Sequence, residues 1–320
     1  MDTKKKKKKI SPYMVFSTIV IILLAIAFAF PLYWILTGSF KTQISINSTT
    51  PEWWPSEWVM TNYDKLFSRQ KSPLWEFAVP FSSHFSADGK DIIWWAGPQV
   101  PAAVRWLINT VFMAVASMIL TCITSAMAGY ALAKKRFVGR SILFTLIVCA
   151  MALPKQVILI PLLREMSALN LYNTIWAVIF PIVGWPFGVF LMKQFSEGIP
   201  GEMLEAARID GANRWQTLRR VTIPNVMPSI TICMFLSLTN GFKLFDQNLA
   251  LTDGRPFQQL GNGETIKTTE MLALNIVNAF GTNGGGNRGV GQAKAVIFFI
   301  VVAAISIIQL QASRRKEVQQ

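Results

Sequence analysis

Histidine is almost missing from this chain of 320 residues, which holds only His84. Metal centres and histidine-based catalytic triads therefore lack material. Cysteine is scarce as well. Cys122, Cys149 and Cys233 lie in apolar stretches without metal-ligand spacing, which argues against a disulfide framework and for small buried hydrophobes. No Gly-x-x-x-x-Gly-Lys-Ser/Thr run occurs, so the sequence offers no P-loop for nucleotide phosphates. Charge is sparse at 15 %, where soluble chains carry about a quarter. Acids are the scarcer sign, 17 against 31 bases, for a net charge of +14. Apolar residues fill the gap at 52 %. A chain this apolar and this basic is neither disordered nor a typical soluble enzyme. Charge alone leaves nucleic-acid binding open, so the placement of the charges decides.

Six stretches are long and apolar enough to cross a bilayer as helices, near 13–36, 106–132, 141–163, 172–195, 226–249 and 294–312. The first follows a lysine run. It is too long for a signal peptide, and no small-residue cleavage site follows it, so it reads as a retained anchor. The fold class is therefore all-α: a polytopic membrane protein with six transmembrane helices. Its organisation is a basic tail (1–12), the anchor (13–36), a loop (37–105), a five-helix core (106–312) and a second tail (313–320).

With the N-terminus in the cytoplasm, one face receives Lys4 to Lys9, the turn holding Lys134, Lys135, Arg136 and Arg140, the 193–225 loop, and Arg314, Arg315 and Lys316. Those segments carry a net +12 and the remainder only +2. The positive-inside rule then places both termini in the cytoplasm. Nucleic acid is excluded as a partner, because the bases are split among four short segments beside the membrane. Lys4 to Lys9 also suits anionic membrane lipid. The loop at 37–105 is extracytoplasmic and rich in tryptophan (Trp53, Trp54, Trp58, Trp75, Trp94, Trp95), which reads as an interfacial belt, with partner docking as the alternative. A second outer loop, 250–293, contains a flexible Gly-rich run at 281–287.

The loop at 199–224, between the fourth and fifth spans, is the informative one. Pro200 suits the first position of a short helix that Gly211 ends. Asn213 is positioned to cap a second helix, with Gln216 as its reciprocal partner. Pro224 and Pro228 are expected to break the chain as it re-enters the membrane. Ala206 and Ala207 allow another protein surface to approach closely, and Glu205 fixes a charge beside them. Neither helix shows a continuous apolar face.

Glu205-Ala206-Ala207, three residues, Gly211, nine residues, then Val221-x-Ile223-Pro224 resembles the EAA motif of ABC importer permeases, with two aliphatic swaps. The likeness extends to carbohydrate importers of the maltose type. Phe30-Pro31-Leu32-Tyr33-Trp34 with Gly38-Ser39-Phe40-Lys41 looks like their first span. Asn109-Thr110, Leu153-Pro154-x-Gln156 with Ile160-Pro161, Phe242-Lys243-x-Phe245-Asp246, Leu251-Thr252-x-Gly254-x-Pro256 and Gly291-Gln292-Ala293-Lys294-Ala295 fit as well. The resemblance covers roughly 13–312. The start looks like the six-span permease type, and the Lys-x-Phe-Asp stretch more like its longer partner.

The resemblance implies a permease subunit of a bacterial or archaeal cell membrane, with 199–224 as a coupling helix. Its partners would be a second permease, two ATPase subunits that bind ATP and Mg, and an extracellular solute-binding protein that delivers a carbohydrate. The chain itself would carry no cofactor. Glu205, Ala206, Ala207, Asp210 and Gly211 would be its ATPase-coupling residues. Ionisable and amide groups inside spans usually face protein or water, which makes Gln156, Asn240, Lys243, Asp246, Gln247 and Asn248 candidates for a translocation path. Lys243 and Asp246, three apart on a helix, could instead pair with each other, and the amides could hold helices together. Import of a non-sugar solute, or a membrane scaffold or enzyme without transport, are the alternatives.

Overall fold

The computed structural model describes residues 11–68, 71–78, 93–255, 257–259, 265–281 and 286–314. Lys4 to Lys9, His84, Pro256, residues 282–285, Arg315 and Lys316 lie outside the described residues.

Helix dominates. The first helix, α1 (Pro12–Gly38), begins where the Ser11 side chain accepts the Met14 N–H and Pro12 supplies a pre-set first turn. It carries no charge and buries only Thr37 and Gly38. Two short helices follow, α2 (Gln43–Asn47) and α3 (Thr61–Ser68). Among the described residues, strands form only three antiparallel pairs. These are Lys71–Pro73 (β1) with Gln99–Pro101 (β4), Glu76–Ala78 (β2) with Ile93–Ala96 (β3), and Phe257–Gln259 (β5) with Thr265–Lys267 (β6). Trp53, Trp54, Trp58 and Trp75 are exposed, and Trp53 packs on Phe30 and Trp34 at the end of α1.

The centre of the bundle is α4 (Ala102–Lys134), whose 33 residues span about 50 Å at 1.5 Å each. The helices that pack on it most extensively are α7 (Ile175–Val183), α8 (Pro186–Glu197) and α11 (Ile223–Phe242). The crossing with α8 is close. A Cβ on Gly129 would sit 2.6 Å from Met192 Cβ and 2.7 Å from the Lys193 nitrogen, so only glycine fits. Ala114, Met118, Leu238 and Phe242 join α4 to α11, and Phe298 of α14 (Arg288–Arg314) covers them. Between these helices the Cys122 and Cys233 sulfurs lie 3.7 Å apart. Cys233 is buried and Cys122 half-buried, but Cys149 is exposed on the bundle surface, so the reading of all three as buried fails at Cys149.

Two spans differ from the sequence expectation. The stretch read as one span over 141–163 is an elbow: α5 (Arg140–Ala150) and α6 (Lys155–Ala168) meet at 109°. Pro154 lacks an N–H and disfavours helical backbone at Leu153, so the helix stops and restarts. Among the described residues, five helical segments thus suit a bilayer crossing by length and composition, with the elbow as a sixth.

The second difference is in the fifth span, where Pro224 and Pro228 do not break the chain. Helix runs from α10 (Arg214–Thr217) through a π-helical turn (Leu218–Thr222) into α11. The wider turn sits where the Pro224 ring would otherwise meet the carbonyl four residues back, and the Asn225 side chain donates to the Val221 carbonyl at 2.7 Å. The helix ends at Phe242, not at 249. After Lys243 and Leu244 a separate helix begins, α12 (Phe245–Leu251). Lys243 and Asp246 therefore do not share a helix, and among the described residues no ion pair joins them.

Candidate functional site

Loop 199–224 leaves the bundle at the end of α4 that carries Lys134. Its root is pinned: Lys134 Nζ donates to the Ile199 carbonyl at 2.6 Å, and Glu197 pairs with Lys193 at 2.7 Å and with Arg140 at 3.3 Å. From this root rises α9 (Gly201–Ile209), preceded by Pro200.

The end of α9 is a complete glycine cap. The Ala212 N–H donates to the Ala207 carbonyl at 2.9 Å and the Gly211 N–H to the Arg208 carbonyl at 3.1 Å, with Gly211 at φ +77°. That left-handed backbone is what glycine adopts without a Cβ clash. Two residues on, the Asn213 side chain accepts the Gln216 N–H and the Gln216 side chain accepts the Asn213 N–H, both at 2.8 Å. The reciprocal cap opens α10 as the spacing predicts.

Glu205, Ala206, Asp210 and Gly211 are exposed and Ala207 is half-buried. Apolar side chains stand out beside them: Ile209 is 86 % and Trp215 67 % exposed, and Met203 is exposed as well. Sequence periodicity did not single these residues out because they lie on two short helices on either side of the Gly211 turn. Trp215, the loop's one aromatic residue, was the available signal. The anchoring residues Lys134 and Glu197 were missed too, since their partners are distant in sequence.

The six residues read as path candidates separate. Gln156 is exposed in the first turn of α6, just beyond the elbow, with Lys155 beside it. Asn240 is half-buried near the end of α11. Lys243 and Asp246 are exposed at the break and at the start of α12, and Gln247 is half-buried. Asn248 departs from the expectation. It is fully buried, and its amide is spent on structure. Its Nδ2 donates to Thr252 Oγ1 and to the Thr269 carbonyl, both at 3.0 Å, and its Oδ1 accepts the Met271 N–H at 2.9 Å. Asn109 holds the same segment from α4 through the Thr268 carbonyl at 2.8 Å.

A bundle of span-length apolar helices with a rigid, exposed helix–glycine–helix loop defines a multi-pass helical membrane protein. Residues 123–318 match the family model described as "Binding-protein-dependent transport system inner membrane component", and the chain belongs to that family. Among its relatives is a probable starch degradation products transport system permease protein of Thermoanaerobacterium thermosulfurigenes, 42 % identical over 139 residues, which are 43 % of each chain. An arabinooligosaccharides transport system permease protein of Halalkalibacterium halodurans is 34 % identical over 140 residues, 44 % of this chain and 50 % of the relative. The chain thus matches about half the length of these curated relatives. In fold it resembles a bacterial ABC transporter involved in the import of the acidic polysaccharide alginate. The TM-score is 0.65 at 19 % identity, covering 96 % of this chain and 98 % of the other.

Proposed function

We propose that the chain is the membrane-spanning permease subunit of an ATP-driven ABC importer that carries a carbohydrate, an oligosaccharide in particular. The observation that carries this reading is the loop: Glu205, Ala206 and Ala207 on a short helix locked by the Gly211 cap, outside the bundle and uncovered. Its apolar neighbours Ile209 and Trp215 suit burial in a groove of a partner. Membership of the transport family and the sugar-transport permeases among its relatives support the substrate class.

In this reading the loop faces the cytoplasm, as do both termini, and sits on one of two ATPase subunits, which bind ATP and Mg. A second permease completes the membrane pair, and an extracellular binding protein delivers the sugar. The chain supplies no ATPase site. Closure of the ATPases displaces the loop, and the unbroken helix Arg214–Phe242 transmits that displacement into the membrane as a rod. The ligands act by stabilising one of two bundle arrangements over the other. Gln156, Asn240, Lys243, Asp246 and Gln247 are the candidates to face the solute, and Asn248 holds the segment behind them.

Co-purification in mild detergent, followed by uptake into ATP-loaded vesicles with a panel of labelled oligosaccharides and non-sugar solutes, tests the reading. An ATPase subunit in the complex and uptake of an oligosaccharide are expected. Recovery of the chain without an ATPase, or uptake of non-sugars alone, overturns it.

A further inference from the structure

A cleft of about 510 Å³ opens at the end of the bundle opposite loop 199–224, where the last turn of α1 meets the first turns of α14. Trp34 comes from α1, Lys41, Ser45 and Glu52 from the segment that follows, and Arg288 and Gln292 from α14. Its volume lies within the roughly 300–1,000 Å³ of small-molecule sites.

The polar groups are unevenly satisfied. Glu52 is fully engaged: one carboxylate oxygen accepts the Ser56 N–H at 2.7 Å, and the other accepts the Ser45 hydroxyl. Lys41 is only 3 % exposed. Its ammonium donates to the Glu52 carbonyl and lies 4.6 Å over the Trp34 ring. Burial lowers its pKa, and the charge of the nearby Glu52 carboxylate only partly offsets that. Arg288 is exposed, and its guanidinium makes no hydrogen bond or ion pair among the described residues. Gln292 is only 6 % exposed, yet its Oε1 is buried without a donor. The cleft therefore offers two cations against one engaged carboxylate, together with one buried acceptor that needs a hydroxyl or amine.

Its position narrows the ligand. Neither α1 nor α14 buries its most apolar window within the chain; one face of α14 packs on α11 and α13, and the rest of both helices is left to lipid. Phe30, Trp34 and Trp53 cluster at the mouth with centroids 5.9–6.1 Å apart, the aromatic signature of headgroup depth. Exposed Phe28 on α1, and Phe299 and Ile300 on α14, continue below it as an apolar surface.

We propose that this cleft binds a hydroxyl-bearing phosphodiester, the headgroup chemistry of an anionic glycerol-type phospholipid. The phosphate oxygens face the guanidinium fork of Arg288, with Lys41 behind it, and a headgroup hydroxyl donates to Gln292 Oε1. The acyl chains follow α1 and α14. The proposal needs only the membrane location of the chain and is independent of what it transports.

The test uses the full chain reconstituted in nanodiscs of phosphatidylcholine with a minor fraction of phosphatidylglycerol. Lipids retained after re-extraction are quantified by mass spectrometry. Wild-type protein is expected to retain phosphatidylglycerol preferentially, and Arg288→Gln and Gln292→Leu to reduce that preference roughly tenfold, about 1.4 kcal/mol. Unchanged circular dichroism and elution show that each variant is folded. A second arm offers soluble glycerophosphoglycerol to the delipidated protein. Arg288-dependent binding there without lipid enrichment upholds the phosphodiester chemistry and assigns it to a soluble source. Equal retention of both lipids with no binding of the soluble diester, or preference unchanged in both variants, overturns the proposal.

Discussion

Thr110 Oγ1 accepts the backbone N–H of Leu272 at 2.8 Å, so α4 caps the first turn of α13 (Leu272–Phe280) from 162 residues away. No side chain of the neighbouring Met271 performs that role. Thr110→Val keeps the shape and removes the acceptor, leaving a buried N–H unpaired. A loss of about 1–3 kcal/mol is expected, read as a lower unfolding midpoint in detergent. An unchanged midpoint would show that the contact contributes nothing.

Gly211 tests whether the loop couples. At φ +77° an alanine costs about 1–2 kcal/mol locally, and proline, fixed near −65°, cannot adopt the turn at all. Gly211→Pro is expected to abolish uptake while the protein remains membrane-inserted and folded. Glu205→Lys, which reverses an exposed charge, is expected to do the same with the turn intact. Wild-type uptake by either variant sinks the coupling role.

The Cys122 and Cys233 sulfurs, 3.7 Å apart between α4 and α11, need only a small approach to bond. Iodine, a membrane-permeant two-electron oxidant, should convert the two thiols to one disulfide and be reduced to two iodides, with two protons released. Intact mass should fall by two hydrogens. Cys149, exposed and remote, should stay open to alkylation. Cys233→Ser should abolish the mass change. Its persistence in that variant would disprove the pairing.

Glu270 is buried between Asn275, whose Nδ2 donates to it at 2.7 Å, and Asn278. Burial raises its pKa from the ordinary 4.5 despite those bonds. The unfolded carboxyl therefore ionises first as pH rises, and stability falls from pH 4.5 up to the folded pKa. Glu270→Gln removes that slope. The unfolding midpoint of wild type relative to the variant should improve as pH drops from neutral to 4.5, whereas a constant difference would refute it.

Loop 199–224 was legible because its determinants are local. A proline opens α9, Gly211 ends it, and Asn213 and Gln216 sit three residues apart, so neighbouring residues fix the backbone. Apolar runs located the spans for the same reason. What escaped depended on geometry that composition does not encode. The stretch 141–163 is apolar on both sides of its bend, and hydropathy has no sign for a change of direction. Pro224 reads as a stop until a π-helical turn absorbs it. Asn248 offered the same amide as Asn240 and Gln247, and only partners at 252, 269 and 271 mark it as structural.

The 109° elbow makes the third membrane segment a crank. Its α5 arm rests on α8, beside the root of the exposed loop, and its α6 arm rests on α12, beyond the break at Lys243. The 14 residues of α6 give an arm of about 21 Å at 1.5 Å per residue. A tilt of about 10° at the joint would sweep its far end by about 4 Å at right angles to that arm. A straight span would pass on the same tilt in line with itself, whereas a crank turns it sideways, toward the α12 helix that its far arm contacts.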